Sequence, residues 1–597
     1  MTATARKLSC LILPLLVSVI VIAQTPNTYG ADWKKVDTYL TDNLPASALT
    51  EVKKIYTKAK NEKNDVQLIK ALLFRINLQN ETREDNLIVS IRELEKEVLS
   101  VKQPARSLLY SLIADLYWSA YDNQRYRFYS TTSTKYVKTD IDTWSATDFF
   151  NRMDELYKAS LREEKLLQQT KISQIDPLLM TNGYRYFRPT LYDFLAHRAL
   201  DHYENDELYV RQAGNRFVLD SPELFADAQI FTRTSFHYPD TAGLRFNALL
   251  LLQKLVRFHE NDVRKDAFID VDIRRLEFAK RYSQSSTKDE QYKSALQQIV
   301  KKYPTDSTAA YASYLLANIE FSKGWRPVVY NEPQRDSGAL VRAEQMSNDI
   351  IKKFPKSIAA DQARSILYIV QRKDAGSTAE EVNPPERPFR LLIKYRNTDS
   401  VYLRIIKTTH AQQAQINALK DSVRWESRLS LPVMRAWTQA LPKSGDHYSH
   451  SAEIKVDPLP VGMYMVVIST RPDFSTTENI LAYHILHVSD ISYFGDFGNY
   501  YVVNRTTGHP LAGATVQTWY MNEKKGREKG PLFHTDSNGY FQLVHKRSIR
   551  ESDYSFDIHH SNDSLFLYDK LASLYIYNGP DTKRQLITSM YFFTDRA

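Results

Sequence analysis

The chain has 597 residues, of which 43% are hydrophobic and 25% are charged, and its formal net charge is +9. This length is too great for one hydrophobic core and predicts roughly three to five domains, while the balance of apolar and charged residues excludes a disordered chain. The mild charge, without a Lys/Arg tract or a nucleic-acid motif, argues against nucleic acid as a partner.

The N-terminus has the pattern of a secretory signal. Arg6 and Lys7 precede an almost wholly apolar run from Leu8 to Ile22, and a small residue, Ala23, follows. The run is too short to favour a spanning helix, so we predict a signal peptide at residues 1–23 and an exported protein, periplasmic, envelope-associated or secreted. An uncleaved anchor is the alternative.

Cysteine use agrees with this interpretation. The only cysteine, Cys10, lies inside the apolar run, where lipid attachment is not expected. Cleavage would leave a chain without a disulfide, a thiolate metal site or a thiol nucleophile.

Residues 24–375 are predicted to form a helical-repeat region. Apolar residues recur at steps of three and four, as in Val66, Ile69, Leu72, Leu73 and Ile76. Helices of this kind, joined by short polar segments, cannot bury their apolar faces alone and therefore stack.

One short internal repeat occurs near the end of this region. Tyr303-Pro304 and Phe354-Pro355 are each predicted to end a helix, and each is followed by an alanine-rich helix. Small residues let neighbouring helices approach closely. An aromatic-proline pair before such a helix resembles tetratricopeptide-type repeats, so we predict a TPR-like solenoid.

Glycine and proline mark a change of architecture after this region. A Pro-rich, acidic stretch at 376–388 predicts an interdomain linker. Beyond it the hydrophobic period changes to two, which predicts one antiparallel β-sandwich at 389–490 and a second at 491–597. Residues 397–399, Asn-Thr-Asp, are predicted as a turn between the first two strands.

Two segments resemble a known family. The runs VNRTTGHPLAGATVQTW and TDSNGYFQL, which begin at Val503 and Thr535, resemble the carboxypeptidase-regulatory-like or macroglobulin-type sandwich of bacterial α2-macroglobulins. The run LPVGMYMVVIST, which begins at Leu459, resembles the strand that closes the preceding macroglobulin domain. The resemblance covers 386–597, and the helical region looks like the N-terminal extension of Bacteroidetes-type members.

This resemblance implies a fold of helical repeats followed by macroglobulin-type sandwiches, and a non-catalytic role. Family members trap proteases: a bait loop is cut and the sandwiches rearrange around the attacker, and many members also couple through a Cys–Gln thioester. No bait loop can be assigned here, and the predicted mature chain has no cysteine. The implied function is endopeptidase inhibition in envelope defence, with proteases as partners and with no cofactor, metal or catalytic residue.

The ending of the chain also bears on this interpretation. Residues 591–597, YFFTDRA, look like the lead-in to the family's next domain, where members continue into an Ile-Tyr-Arg-Pro-Gly-Gln motif. We therefore expect either a fragment of a larger protein or a truncated gene product.

Two other functions stay open at this point. An envelope scaffold or binding module would use the helical repeats to grip a protein or glycan, and concave surfaces rich in tyrosine, of which the chain has 38, would favour it. A hydrolase built on the helical region is the third.

One helix offers residues for that third function. Pro189 suits the first turn of a helix, after which Asp193, His197 and Asp201 fall at i, i+4 and i+8 on one face. The functional interpretation is a metal or acid/base cluster. We favour a solvent-side charge ladder, because no further ligand pattern accompanies these residues.

Three further groups of polar residues have ordinary interpretations. His559-His560 is predicted as a loop between sandwich strands rather than a metal site. Asp490 and Asp496 are predicted as interdomain turn carboxylates rather than calcium ligands. The carboxylates of Glu93, Glu95 and Glu97 are predicted to form a solvated helix face.

Overall fold

The computed structural model describes eleven ranges of the chain: 29–80, 86–128, 141–179, 185–209, 219–236, 243–325, 336–496, 498–522, 526–543, 553–567 and 572–573. The chain divides into two compact units. The first contains the residues up to Ile319 and Met346–Ala363, and the second contains Glu320–Gln345 and the residues from Arg364 onward. The predicted signal peptide at 1–23 and the predicted lead-in at 591–597 lie outside the described residues.

Sixteen α-helices precede the first strand in the described ranges. They are α1 (Gly30–Thr41), α2 (Pro45–Asn61), α3 (Asp65–Asn80), α4 (Asn86–Glu97), α5 (Ala105–Phe128), α6 (Ala146–Ser160), α7 (Glu164–Gln169), α8 (Leu191–Tyr203), α9 (Asp206–Tyr209), α10 (Ala228–Arg233), α11 (Leu244–His259), α12 (Asp266–Tyr282), α13 (Lys288–Lys302), α14 (Ala310–Trp325), α15 (Ala339–Lys353) and α16 (Ile358–Gln371). Short 3₁₀ segments at Ile141–Thr143, Ile172–Leu178, Arg185–Phe187 and Pro222–Phe225 connect some of them.

The first unit is built around one continuous apolar core. It extends in sequence from Tyr29 to Leu316, and the predicted periodic residues Ile69, Leu72 and Ile76 are all buried in it. Several helices begin at a side-chain cap. The Ser145 hydroxyl accepts a hydrogen bond from the Asp148 backbone N–H, and the Ser145 backbone N–H donates one to the Asp148 carboxylate in return, which forms a capping box at the start of α6.

The helix ends predicted for the internal repeat are confirmed. Helix α13 ends immediately before Tyr303-Pro304, and α15 ends immediately before Phe354-Pro355. Alanines follow in α14 and α16 and are buried, as expected for close helix approach: Ala310, Ala312, Ala317, Ala359, Ala360 and Ala363. The TPR-like arrangement of these helices remains a prediction.

The second unit contains sixteen strands and two more helices in its described part. They are β1 (Asp374–Ala379), β2 (Val382–Asn383), β3 (Phe389–Arg396), β4 (Ser400–Thr408), α17 (His410–Asn417), α18 (Asp421–Leu429), β5 (Val433–Ala440), β6 (His450–Val456), β7 (Gly462–Ser469), β8 (Leu481–Val488), β9 (Ile491–Asp496), β10 (Asn499–Asn504), β11 (Thr515–Asn522), β12 (Gly526–His534), β13 (Tyr540–Gln542), β14 (Asp553–His560), β15 (Asp563–Phe566) and β16 (Ala572–Ser573).

We call residues 374–488 the first β-module. Its two sheets have the strand orders β1-β3-β6 and β2-β8-β7-β4-β5, antiparallel except for the β2–β8 pair. Leu391 and Ile393 of β3 share one buried core with Val466 and Ile468 of β7. The other face of the five-stranded sheet buries Met465 and Val467 against side chains of α18.

The linker prediction for 376–388 is wrong in part. Most of β1 and all of β2 lie in this segment, because Gly376 and its neighbours pair with β3, and Val382 and Asn383 pair with β8. Proline and glycine favour a linker in the sequence, but small side chains also allow close strand pairing.

We call residues 491–567 the second β-module. Its sheets have the orders β13-β10-β9 and β12-β11-β14-β15, and both contribute to a core that includes Tyr500, Val516 and Phe556. Gly539 takes φ +71° in the turn before β13, as the sequence predicts for a tight turn. The order of a helical half followed by sheets confirms the predicted α-then-β organisation. The macroglobulin-type sandwich remains a prediction.

Candidate functional site

The candidate residues on α8 begin at its first turn. Thr190 precedes the helix, and its Oγ1 accepts a hydrogen bond from the Asp193 backbone N–H at 3.3 Å. The Asp193 Oδ2 accepts in return from the Thr190 N–H at 2.9 Å and from its hydroxyl at 2.8 Å. Asp193 is therefore the N3 member of a capping box, and it is fully buried.

A histidine from another helix completes this cluster. His259 is the last residue of α11, and its Nε2 lies 2.7 Å from Asp193 Oδ1. Its Nδ1 lies 2.7 Å from Asp262 Oδ2. Burial alone would lower the pKa of His259, but the hydrogen bonds and charges of the two carboxylates outweigh it, so that the pKa is raised. We call these three residues the buried Asp–His–Asp chain.

His197 lies beside this chain and has the opposite electrostatics. Its Nδ1 is 2.9 Å from the backbone oxygen of Asp193, one turn earlier. Its Nε2 is buried and has no hydrogen-bond partner among the described residues. Burial holds the pKa of His197 well below its usual range, and the cations Arg188 and Arg274 lower it further. His197 is therefore neutral and donates from Nδ1.

The predicted solvent-side ladder is wrong for two of its three members. Asp193 and His197 are buried, and only Asp201 reaches the surface, where it accepts a 2.7 Å hydrogen bond from Arg274. The physical reason is the packing of α8, which contacts α5, α6, α7 and α11. The i, i+4 and i+8 spacing of these residues does not indicate that other helices cover the first two turns of α8.

The chemistry available to the buried chain follows from its hydrogen bonds. A general base needs a ring nitrogen within reach of a substrate, but both nitrogens of His259 are directed at carboxylates. The buried Asp–His–Asp chain therefore links the end of α11 to the start of α8 by electrostatic attraction. In the described ranges, no group of three or more His, Asp or Glu residues is placed to hold a metal ion.

Sequence reasoning missed His259 and Asp262. Asp193 and His259 are 66 residues apart, and the contact depends on how α11 packs against α8. The only local signal is His259 with Asp262 three residues later, a spacing that is common on helices and their ends.

The carboxylates of α4 connect helices rather than form one solvated face. Glu95 accepts from Arg152 at 2.7 Å and from the Tyr117 hydroxyl at 3.0 Å. Glu97 accepts from Lys60 at 2.9 Å, and Glu93 pairs with Arg75 at 2.6 Å. The solvated-face prediction is wrong for Glu95 and Glu97, which are half-buried.

The polar residues of the second β-module are also placed differently from some predictions. His559 and His560 end β14 instead of forming a loop, and the His559 Nδ1 lies 2.8 Å from the hydroxyl of Ser564 on β15. Asp490 is the expected turn carboxylate between the modules and accepts from the Thr506 hydroxyl at 3.0 Å. The side chain of Asp496 lies outside the described part.

A pocket of about 280 Å³ opens in the second unit. The Tyr395 hydroxyl at its wall donates to the Pro442 oxygen at 2.8 Å. The His447 Nδ1 lies 2.9 Å from Asn397 Oδ1, and its Nε2 lies 2.8 Å from the Glu344 carboxylate. These polar atoms are engaged with one another, so they stabilise the loops around the pocket. The pocket is lined by Gln371, Tyr395, Asn397, Thr398, Asp399, Pro442, Lys443, Ser444, Gly445 and His447.

Many tyrosines of the first unit serve its core. Tyr117, Tyr121 and Tyr192 are among the largest fully buried side chains, whereas Tyr368 of the second unit is 75% exposed. Buried rings stabilise helix packing, so these three do not form the tyrosine-rich binding surface that would favour a scaffold function.

Two fragments of one protein are among the solved structures that match this chain. The chain is similar to native α2-macroglobulin from Escherichia coli spanning domains NIE-MG1, with 13% identity and a TM-score of 0.24, over 33% of this chain and 98% of that one. A fragment spanning domains MG0-NIE-MG1 matches with 13% identity and a TM-score of 0.25, over 34% of this chain and 64% of that one.

TM-scores of this size establish neither a shared fold nor a shared function. No protein-family model and no curated protein matched the sequence. Among the described helices, none combines the length and the apolar character needed to cross a bilayer.

Proposed function

We propose that this chain is a non-catalytic segment of an exported α2-macroglobulin-like protein that inhibits proteases. The observation that supports this most is the sequence from Val503 to Leu543. It resembles the family's sandwich, and it contains the turns and strands that the resemblance requires: Gly508, Gly513 and Gly539 all have φ near +70°, and β11 and β13 follow them directly.

The arrangement of the two β-modules suits this function. Each module has a main apolar core, although Val382 of β2 packs into the core of the second module. Only Ser489 and Asp490 separate β8 from β9. Compact modules joined by short connections can move as bodies around a bound protein without unfolding. Because the only cysteine is Cys10, inhibition by the mature residues would be non-covalent.

Export is part of the same proposal. It is supported by Arg6 and Lys7, the apolar run from Leu8 to Ile22, and Ala23 at the expected cleavage position. Mass spectrometry of the protein recovered from the cell envelope tests it. A mature chain that begins at Gln24 is expected, and a chain that retains residues 1–23 would contradict cleavage.

A binding experiment separates trapping from simple recognition. The protein, with all the residues that its gene encodes, is incubated with an active broad-specificity serine protease and with the same protease lacking its nucleophile. We expect only the active protease to co-elute on size exclusion, because trapping follows cleavage. Equal co-elution of both proteases would favour a binding module, and no co-elution of either would contradict inhibition.

A further inference from the structure

A buried arginine connects the helices α17 and α18 to the five-stranded sheet of the first β-module. Arg428 lies in the last turn of α18 and is 4% exposed. Its Nη2 donates to the side-chain oxygen of Asn417 at 2.7 Å and to the Tyr483 hydroxyl at 3.2 Å. The guanidinium therefore joins the end of α17 to strand β8.

This guanidinium has more donors than there are acceptors around it. An arginine carries five N–H donors, and in the described part of the chain only those of Nη2 have acceptors. The Nε of Arg428 is buried and has no hydrogen-bond partner there. The rings of Tyr483 and Trp425 lie 4.3 Å and 5.8 Å from the guanidinium carbon. They attract the positive charge but add no oxygen acceptor beyond the Tyr483 hydroxyl.

Arg428 also differs from the other arginines discussed here in its electrostatic partners. Among the described residues, no carboxylate lies within ion-pair distance of it, whereas Arg424, one turn earlier, pairs with Asp421 at 2.5 Å. The buried Arg275 of the first unit pairs with Asp272 and also donates to two backbone oxygens. A buried charge is unfavourable unless it is paired, so an anion beside Arg428 would stabilise this part of the module.

The two residues bonded to Arg428 have donors left for such an anion. Asn417 accepts with its side-chain oxygen, and its side-chain N–H groups have no partner in the described ranges. The Tyr483 hydroxyl accepts from the guanidinium, which leaves its own proton available. Asn417 is exposed, and Tyr483 is 39% exposed. A ligand that approaches from solvent therefore meets donors from three residues.

We propose that Arg428, Asn417 and Tyr483 form a binding site for a carboxylate group. One guanidinium with two neutral donors balances a single negative charge, and the planar donor set of arginine matches the shape of a carboxylate. The carboxylate is supplied either by a small organic acid or by an acidic side chain of a protein partner. The proposal does not depend on protease inhibition, because it follows from the donors of one module alone.

Fluorine NMR of the protein labelled with 5-fluorotryptophan tests this site. The chain has seven tryptophans, and Trp425→Phe assigns the resonance of the ring that lies 5.8 Å from the Arg428 guanidinium. At pH 7 we expect sodium acetate to shift this resonance with saturation in the millimolar range, whereas sodium chloride at equal ionic strength should not. The blocked peptide acetyl-Gly-Glu-Gly-amide separates the two sources. Binding of the peptide at least about tenfold tighter than acetate favours a protein partner, and equal or weaker binding favours a small organic acid.

Three variants make the test specific. Arg428→Lys keeps the charge but removes the planar donor set, so acetate should bind about tenfold more weakly. Arg424→Lys is the matched control on the same helix and should titrate like the wild type, because Arg424 already pairs with Asp421. Asn417→Asp places a carboxylate beside Nη2 and should abolish the response, which keeps the test decisive if Arg428→Lys does not fold.

The outcomes that would overturn the proposal are distinct. They are the absence of a saturable shift with acetate in the wild type, an equal shift with chloride, and wild-type affinity for acetate in Arg428→Lys or in Asn417→Asp.

Discussion

The imidazole of His259 lies 2.7 Å from the carboxylate of Asp193, although 66 residues separate them in the sequence. Asp193 also closes the cap of α8, so one buried carboxylate joins the start of α8 to the end of α11. Residues that the sequence offers as surface or catalytic groups thus serve the interior of the helical unit.

Replacing His259 by leucine should destabilise the helical unit strongly. The substitution leaves the fully buried Asp193 without its charged partner, and breaking a buried ion pair in this way costs about 3–5 kcal/mol. Urea denaturation followed by circular dichroism measures the loss. Asp262→Asn is the control, because that side chain is 38% exposed and its contribution should stay within about 1 kcal/mol. Equal losses for the two variants would show that Asp193 is not the critical partner.

The same ion pair predicts a pH dependence. The folded-state pKa of His259 is raised above its ordinary value, so its contribution to stability is complete below the ordinary histidine pKa of about 6.5. The contribution is lost as the pH rises through the raised value. The difference in unfolding free energy between wild type and His259→Leu should therefore shrink at alkaline pH. A difference that grows with pH would contradict this assignment.

Arg275 on α12 should be the most sensitive arginine of its helix. It is 2% exposed, donates to Asp272 at 2.7 Å, and also donates to the backbone oxygens of Leu224 and Ala226. Arg275→Met leaves these acceptors unsatisfied and should cost about 3–5 kcal/mol. Arg281→Met on the same helix removes an exposed pair with Asp206 and should cost less than about 1 kcal/mol. Thermal unfolding of the two variants compares them directly.

Alanine substitutions at Gly539 and at Gly508 should have different effects on stability, although the two glycines have similar φ angles. Both have φ near +70°, where a side chain costs about 1–2 kcal/mol. A Cβ at Gly539 would also lie 2.3 Å from the Val502 oxygen, whereas nothing lies within 4 Å at Gly508. Gly539→Ala should therefore destabilise the second β-module well beyond Gly508→Ala, as measured by hydrogen exchange of β10. Similar exchange rates in both variants would refute the steric argument.

Much of the secondary structure was predictable because it depends on local patterns. The turn predicted at 397–399 lies between β3 and β4. Two helices end before Tyr303 and Phe354, where the aromatic-proline pairs indicate. Helices α17 and α18 were not predicted, because they lie between two strands of one sheet and their short amphipathic pattern does not stand out.

The site could not be predicted to the same extent. The role of Asp193 depends on a histidine of α11, and the ring of Phe566 on β15 contacts His410 of α17 and His559 of β14. Such clusters form through packing between elements far apart in the chain, which no periodicity encodes. Strand β1 was not predicted for a similar reason, because its glycine and serine are in a strand only through pairing with β3.

The proposed protease inhibition is tested most directly by the size of substrate that a treated protease still cleaves. A broad-specificity protease is preincubated with the full-length protein, and its activity is measured on a large folded protein and on a small chromogenic peptide. Steric enclosure predicts that cleavage of the large substrate falls while cleavage of the peptide persists. Unchanged cleavage of both substrates, or equal loss of both, would contradict the proposed function.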